Sequence, residues 1–216
     1  MIQFFIFGSS FVYGVGGENG GFADILKQQL HGRLYGPDGL GEQCELFAFG
    51  KPGESLEFIR GMVEKELGLF GRDGSRTVVI VWAGDNNSKA IEEPDNIVST
   101  PEEYRESMTT LLGTMKGNSD RVISVGGGYV DESKTNPKRN PFTGGRSYFT
   151  NANRGRYGQI RKEVCEELAI EYVELDVPEA EWIGSCLSAD GLHPNDKGHR
   201  LIANRIWNVI EKELVT

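Results

Sequence analysis

Residues 77–82, with the sequence TVVIVW, are the stretch that most directly predicts the fold of this chain. Apolar side chains follow one another here without polar alternation, which is typical of a central parallel strand covered on both faces. The polar segment Gly84-Asp85-Asn86-Asn87 comes directly after it. The stretch therefore predicts a buried strand with a polar turn at its carboxyl end.

The remainder of the chain alternates between short apolar runs and helical patterns. Further strands are predicted at residues 2–7, 44–49, 121–125 and 170–175, and helices at 21–30, 55–69, 101–116, 151–168 and 194–214. Such alternation implies right-handed crossovers and an open parallel sheet. We therefore expect an α/β fold with five parallel strands and helices on both faces. We see no internal repeat and no linker, so one domain over residues 1–216 is expected.

Three polar segments follow predicted strands directly. Residues 8–10 (GSS) follow the first strand, residues 50–55 the second, and residues 84–87 the third. A fourth segment, Asp190-Gly191-Leu192-His193, lies between the last strand and the last helix. Because open parallel sheets bind ligands at the carboxyl ends of their strands, we expect the four segments to share one site.

The most informative of these segments runs from Asp190 to His193. A carboxylate three residues before a histidine can hold the imidazole in one tautomer while its other nitrogen faces a serine. The same spacing recurs in Asp196-Lys197-Gly198-His199. Pro194 suits the first turn of the last helix, which would place His199 inside that helix and away from the site. We therefore take His193 as the candidate base and His199 as a surface or packing residue.

The other segments supply candidates for a nucleophile and for oxyanion donors. Ser10 follows a buried strand and a turn, although Ser9 is a neighbouring rival that the sequence alone does not separate from it. Gly53 lets a backbone N–H approach an acyl oxygen, and the Asn86 side chain offers a second N–H. Both residue types are also ordinary turn residues.

Other kinds of site find less support. A dinucleotide loop at residues 14–21 lacks the required third glycine, and no acid ends the second strand. Asp190, His193, Asp196 and His199 are metal-ligand types, but nothing further supports a metal cluster. We expect neither a metal nor an organic cofactor.

Taken together, these segments resemble the sequence blocks of the SGNH (GDSL-type) hydrolases. Residues 5–14 are similar to the first block, residues 51–55 to the second, residues 84–87 to the third and residues 190–195 to the fifth. The resemblance covers nearly the whole chain in the right order. It implies a three-layer flavodoxin-like fold and hydrolysis of carboxylic esters. The roles it implies are Ser10 as nucleophile and oxyanion donor, Gly53 and Asn86 as further donors, His193 as base and Asp190 as its orienting acid.

Two positions depart from the family pattern. Ser9 stands where the family usually has an aspartate, and Asn87 stands where the third block usually ends in an acid. Both changes remove carboxylates that would support the turns, so the geometry or the preferred acyl group is expected to differ from that of typical members.

Composition limits the partners. The formal charge of −9 argues against a nucleic-acid partner, and no stretch approaches the ~20 apolar residues of a membrane span. The cysteines Cys44, Cys165 and Cys186 have no metal-ligand spacing, and no signal peptide is visible. We expect a cytoplasmic protein that takes a small-molecule ester; the oligomeric state stays open.

Residues 126–150 lack helix or strand periodicity, and loops this long are often lids over a site. Their basic residues suit either an anionic substrate or a solvated surface: Lys134, Lys138, Arg139 and Arg146. The substrate of a serine esterase here could be an acetylated carbohydrate, a short acyl ester or a lipid ester. An acyltransferase with the same residues, or a weakly active carbohydrate- or lipid-binding module, are the alternatives.

Overall fold

The computed structural model describes residues 1–37, 39, 43–140 and 143–214. Its strands are β1 (Ile2–Gly8), β2 (Cys44–Gly50), β3 (Arg76–Trp82), β4 (Ala90–Ile91), β5 (Arg121–Gly127), β6 (Lys138–Arg139), β7 (Arg146–Tyr148) and β8 (Glu171–Leu175). Its α-helices are α1 (Ser10–Tyr13), α2 (Phe22–Tyr35), α3 (Leu56–Phe70), α4 (Pro101–Gly117), α5 (Glu132–Thr135), α6 (Asn151–Glu167), α7 (Glu179–Ser185) and α8 (Asp196–Ile210), followed by a 3-10 turn at Glu211–Leu214.

Five of these strands form one parallel sheet in the order β2-β1-β3-β5-β8. This confirms the predicted five-stranded α/β fold, and the stretch TVVIVW lies in β3 at its centre. In the register of the sheet, Gly8 at the end of β1 pairs with Gly50 of β2 and with Trp82 of β3. The polar segments after these three strands therefore begin at the same edge.

Two apolar cores cover the two faces of the sheet. Because successive strand residues point to opposite faces, Phe4 and Ile6 of β1 pack with α2 and α8, whereas Phe5 and Phe7 pack with α3, α4 and α6. All four of these side chains are fully buried. The sheet is thus the middle layer of a three-layer structure.

A small antiparallel sheet stands beside the main one, in the order β4-β7-β6. It corrects the expectation that residues 126–150 are irregular, because that segment contains α5, β6 and β7 and ends where α6 begins. The short strands escaped prediction because two or three residues show no periodicity. Pro141 and Phe142, within the same segment, lie outside the described residues.

The helix starts follow local capping chemistry. Thr100 caps α4, with Pro101 as its first residue, and the Glu103 carboxylate accepts the Thr100 N–H at 2.8 Å. The predicted start of the last helix at Pro194 is wrong. Asn195 caps α8 instead, because its Oδ1 accepts the Gly198 N–H at 3.0 Å and satisfies a free helix-start donor.

None of the helices in the described ranges combines the length and the apolar character that a membrane span needs.

Candidate active site

The first polar segment leaves the sheet through a tight turn after β1. A Cβ on Gly8 would lie 2.2 Å from the Trp82 carbonyl oxygen, so only glycine fits between the two strand ends. Ser9 then serves as the N-cap position of α1, and Ser10 is the first residue of that helix. The turn thus brings Ser10 out of the sheet at the edge where the other segments converge.

Asp190 and His193 form a direct pair in the loop before α8. Asp190 Oδ2 lies 2.6 Å from His193 Nδ1, while Asp190 Oδ1 accepts the backbone N–H groups of Leu192 at 2.9 Å and His193 at 3.0 Å. The Ser188 hydroxyl donates to the same Oδ1 at 2.8 Å. Gly191 allows this tight loop with a φ of 71°. The carboxylate thereby holds the imidazole in a single orientation.

Asp190 remains ionised in this setting. Burial alone would raise the pKa of its carboxyl, but the hydrogen bonds from His193 and Leu192, together with the nearby charge of His193, lower the pKa far below its ordinary value. Lys138 of β6 adds an ion pair at 3.0 Å to Asp190 Oδ2. A fixed negative charge therefore faces the imidazole ring.

Gly53 and Asn86 come together on the opposite side. Gly53 has a φ of 86°, which favours glycine, and open space surrounds the position where a Cβ would stand. Asn86 Nδ2 donates to the Glu54 carbonyl oxygen at 3.1 Å, so the two turns are tied together. Within the described residues, the backbone N–H groups of Ser10 and Gly53 have no hydrogen-bond acceptor. Donors remain available at this position.

A single cavity of about 560 Å³ joins these groups, since Ser10, Gly53, Asn86 and His193 all contribute to its wall. Over the part of the chain that the structure describes, no hydrogen bond connects the Ser10 hydroxyl to His193. The ring of Phe11, whose centroid is 5.9 Å from that of His193, supports the imidazole from the α1 side. Four of the five candidate residues thus line one cavity, and the fifth, Asp190, is hydrogen-bonded to His193.

The two serines occupy different surroundings. Ser10 lines the cavity, whereas Ser9 is 5% exposed and is not part of the cavity wall. The Ser9 side chain makes no capping hydrogen bond to α1. The structure therefore separates two neighbours that the sequence alone left as rivals.

Asn87, which stands where the family usually has an acid, makes hydrogen bonds to two neighbouring segments. Its Oδ1 accepts the Leu56 N–H at 3.0 Å, at the start of α3, and its Nδ2 donates to Ser99 Oγ at 3.0 Å. Asn87 is 1% exposed. The Asn87 amide therefore ties the turn after β3 to the start of α3 and to Ser99.

The second aspartate–histidine spacing leads elsewhere. His199 is fully buried, accepts the Phe22 N–H on Nδ1 at 3.2 Å, and its Nε2 lies 3.1 Å from the Val15 carbonyl oxygen. Asp196 accepts the Glu18 N–H at 2.8 Å. His199 is thus a packing residue. Within the described residues, no three His, Cys, Asp or Glu side chains are grouped as metal ligands, so the four weighed as a cluster do not converge.

Sequence reasoning missed a cluster of charged residues at the cavity wall, formed by Asp85, Arg154 and the neighbouring Arg161. Asp85 accepts the Trp82 indole N–H at 3.0 Å and lies 3.4 Å from Arg154 and 3.9 Å from Arg161, both on α6. Burial would raise the pKa of Asp85, but the two guanidinium charges and the indole hydrogen bond lower it below its ordinary value. The position of Asp85 beside Asn86 was a usable signal. Arg154 and Arg161 gave none, because they lie within an ordinary helical pattern.

Comparison with known proteins agrees with this arrangement. The fold, a five-stranded parallel sheet with helices on both faces, is that of the SGNH hydrolases. The chain belongs to the GDSL-like lipase/acylhydrolase family, whose model matches residues 6–201. It is therefore an ester-hydrolysing enzyme. No curated protein matches the sequence.

Solved structures of similar fold come from several bacteria. A lipase/acylhydrolase from Enterococcus faecalis is 18% identical, with a TM-score of 0.71 over 99% of this chain and 97% of that one. A psychrotrophic esterase from Pseudoalteromonas sp. is 12% identical, with a TM-score of 0.69 over 100% of both chains. An acetylxylan esterase from Geobacillus stearothermophilus is 17% identical, with a TM-score of 0.67 over 97% of this chain and 94% of that one. At these sequence identities the comparison shows a shared fold.

Proposed function

We propose that this enzyme is a serine esterase in which Ser10 is the nucleophile, His193 the general base and Asp190 the residue that orients the base. The observation that supports this most strongly is the 2.6 Å contact between Asp190 and His193 on the wall of the cavity that Ser10 also lines. A serine attacks an ester only when a base accepts its proton, and the base must be oriented by a third group.

The first half of the reaction forms an acyl-enzyme. Ser10 Oγ attacks the acyl carbon and its proton passes to His193 Nε2, while Asp190 stabilises the resulting imidazolium. The backbone N–H groups of Ser10 and Gly53, with the Asn86 side chain, hold the negative charge that develops on the acyl oxygen. The tetrahedral intermediate then expels the alcohol, which takes the proton from His193.

The second half releases the acid. A water molecule gives a proton to His193 and attacks the acyl carbon, and the second tetrahedral intermediate breaks its bond to Ser10 Oγ, which takes the proton back from His193. In the proposed mechanism the absent Ser10–His193 hydrogen bond forms when substrate fills the cavity. Such bonds are often long in unliganded enzymes and tighten in the complex.

The cavity also bears on the size of the substrate. A volume of about 560 Å³ is within the usual range for small-molecule sites. The strands β6 and β7 line it through Arg139 and Ser147, so these two strands contribute to the wall of the site. We propose a short acyl group, on a carbohydrate or a similar small alcohol. The acetylxylan esterase among the structural neighbours supports this.

The nucleophile is tested with a matched pair of variants. Ser10→Ala is expected to lower the kcat for p-nitrophenyl acetate by about 10⁴- to 10⁶-fold, because it removes the hydroxyl that attacks the acyl carbon. Ser9→Ala, which removes a hydroxyl outside the cavity wall, is expected to retain activity within about fivefold. A fluorophosphonate probe should label the wild type and Ser9→Ala but not Ser10→Ala. Full turnover by Ser10→Ala would exclude the proposed nucleophile.

The acyl preference is tested with p-nitrophenyl esters of increasing length. We expect kcat/KM to fall from acetate and butanoate to the long-chain esters, since residues of β6 and β7 form one side of the cavity. A preference for long acyl chains would contradict the proposed substrate size and leave the nucleophile assignment untouched.

A further inference from the structure

The cavity carries more positive charge than the rest of the molecule leads one to expect. The chain has a formal net charge of −9, yet the cationic side chains of Lys89, Lys138, Arg139 and Arg154 line the cavity. Asp85 is the only carboxylate-bearing residue among the described residues that line it. Positive charge is therefore concentrated where the substrate binds.

Two basic residues of the 126–150 segment that do not line the cavity, Lys134 and Arg146, form ion pairs with acidic residues. Lys134 pairs with Asp131 at 3.0 Å, and Arg146 pairs with Glu93 at 3.3 Å. Lys138, on the wall, is paired with Asp190 at 3.0 Å. The excess positive charge of the cavity thus comes from the other cationic residues of the wall.

Arg154 is the most confined of these residues. Its side chain is 8% exposed, and its Nε and Nη1 atoms are buried without a hydrogen-bond partner among the described residues. Its Nη2 donates to the Gly127 carbonyl oxygen at 3.2 Å. Asp85, 3.4 Å from Nη1, also faces the buried Arg161 at 3.9 Å, so one carboxylate serves two guanidinium groups. Buried donors without acceptors are costly unless a ligand supplies the acceptors.

Lys89 and Arg139 are two further cationic residues that line the cavity. Lys89 Nζ contacts the Asn86 amide oxygen at 3.3 Å, and burial lowers the pKa of its ammonium group. Neither Lys89 nor Arg139 has a carboxylate within ion-pair distance among the described residues. An anion in the cavity beside Lys89, Arg139 and Arg154 would balance this positive charge.

We propose that the ester hydrolysed by this enzyme carries an anionic group, a carboxylate in its acyl or its alcohol part, which Arg154 and Lys89 bind. The guanidinium of arginine presents paired donors that match a carboxylate, and lysine adds a compact charge. This inference rests on the proposed serine esterase function and names the substrate class of that same site.

Two matched pairs of esters test the inference on the whole enzyme. Mono-p-nitrophenyl adipate and its methyl ester place the charge on the acyl side, and 4-acetoxybenzoate and its methyl ester place it on the alcohol side. Each kcat/KM is divided by the rate of hydroxide-catalysed hydrolysis of the same ester. We expect the charged member of at least one pair to be favoured by about tenfold or more, chiefly through a lower KM. Added salt should reduce this preference because it screens the charges.

Variants then assign the preference to its residues. Arg154→Gln and Lys89→Met should each lower the charged-to-neutral ratio by about tenfold, which is the usual effect of losing a hydrogen bond to a charged group. Lys89 is only half-buried, so Lys89→Met keeps the test informative if Arg154→Gln does not fold. Lys65→Met removes an exposed cation of α3 that is not part of the wall and should leave the ratio unchanged.

The outcomes separate the two proposals. Equal turnover of charged and neutral esters, with activity that still depends on Ser10, would overturn the anionic substrate class and leave the esterase mechanism standing. A charged-to-neutral ratio that survives both Arg154→Gln and Lys89→Met would also overturn it. Absence of Ser10-dependent hydrolysis for every ester would overturn both proposals.

Discussion

Replacement of Asp190 by asparagine is the most demanding test of the proposed mechanism. Asp190 Oδ1 accepts three donors, from Ser188, Leu192 and His193. Oδ2 faces His193 Nδ1 at 2.6 Å and accepts one donor, Lys138 Nζ, at 3.0 Å. An asparagine keeps its carbonyl oxygen toward the three donors, because the reverse orientation would set its NH₂ group against all of them. The NH₂ group therefore stands where Oδ2 was.

This orientation determines the tautomer of His193. Facing an NH₂ donor, Nδ1 becomes an acceptor, so the ring proton moves to Nε2, the atom that should accept the proton of Ser10. We expect kcat to fall by about 10⁴-fold, which corresponds to about 5.4 kcal/mol of transition-state stabilisation. KM should change little, because Asp190 is not part of the cavity wall.

The assay is steady-state hydrolysis of p-nitrophenyl acetate, with circular dichroism and thermal unfolding to establish that the variant is folded. Asp196→Asn is the matched control, since it makes the same substitution in the second aspartate–histidine spacing, where the side chain binds Glu18 and Asn19. It should retain kcat within about twofold. A folded Asp190→Asn enzyme with more than about 1% of wild-type kcat would refute the tautomer argument.

Three further predictions concern the surroundings of the site. Asn86→Ala should lower kcat by about 10²- to 10³-fold, measured with p-nitrophenyl acetate, because it removes an oxyanion donor; a change of less than threefold would count against that role. Asn87→Asp should keep kcat within about threefold, since a carboxylate can accept the Leu56 N–H and the Ser99 hydroxyl can donate to it; a large loss would show that the amide donor is needed. Burial lowers the pKa of His199, so its contribution to the free energy of unfolding is full above about pH 6.5, the ordinary pKa, and declines as the pH falls toward the folded value. Denaturant unfolding from pH 8 to 5 should therefore show a loss of stability that His199→Gln reduces and that His31→Gln, at an exposed position, does not.

Local patterns were sufficient to predict the main parallel sheet but not the small antiparallel sheet. The apolar run of β3 predicted a strand covered on both faces, and the alternation of strands and helices predicted the parallel sheet, because burial and backbone hydrogen bonding act over a few residues. The start of α4 at Pro101 followed from the same local chemistry. The start predicted at Pro194 was wrong because Asn195 caps α8 through a hydrogen bond to Gly198. The sequence alone did not show which residue would take the capping position.

The candidate site was predictable where its partners are near in sequence. Asp190 and His193 are three residues apart, so their pairing follows from a short loop. Ser10 lies far away along the chain, and the sequence left Ser9 as its rival. Their separation depends on how the turn after Gly8 enters α1 beside Trp82, which is a matter of packing between strands.

By itself, then, the sequence determined the fold class, the order of the polar segments and the identity of the aspartate–histidine pair, because each depends on short-range patterns. Only the tertiary structure decided which serine lines the cavity and that β6 and β7 contribute to its wall. It also brought Asp85, Arg154 and Lys89 to the same space. These side chains come from separate elements, and their charges interact only once the sheet and its helices have brought them within a few ångströms.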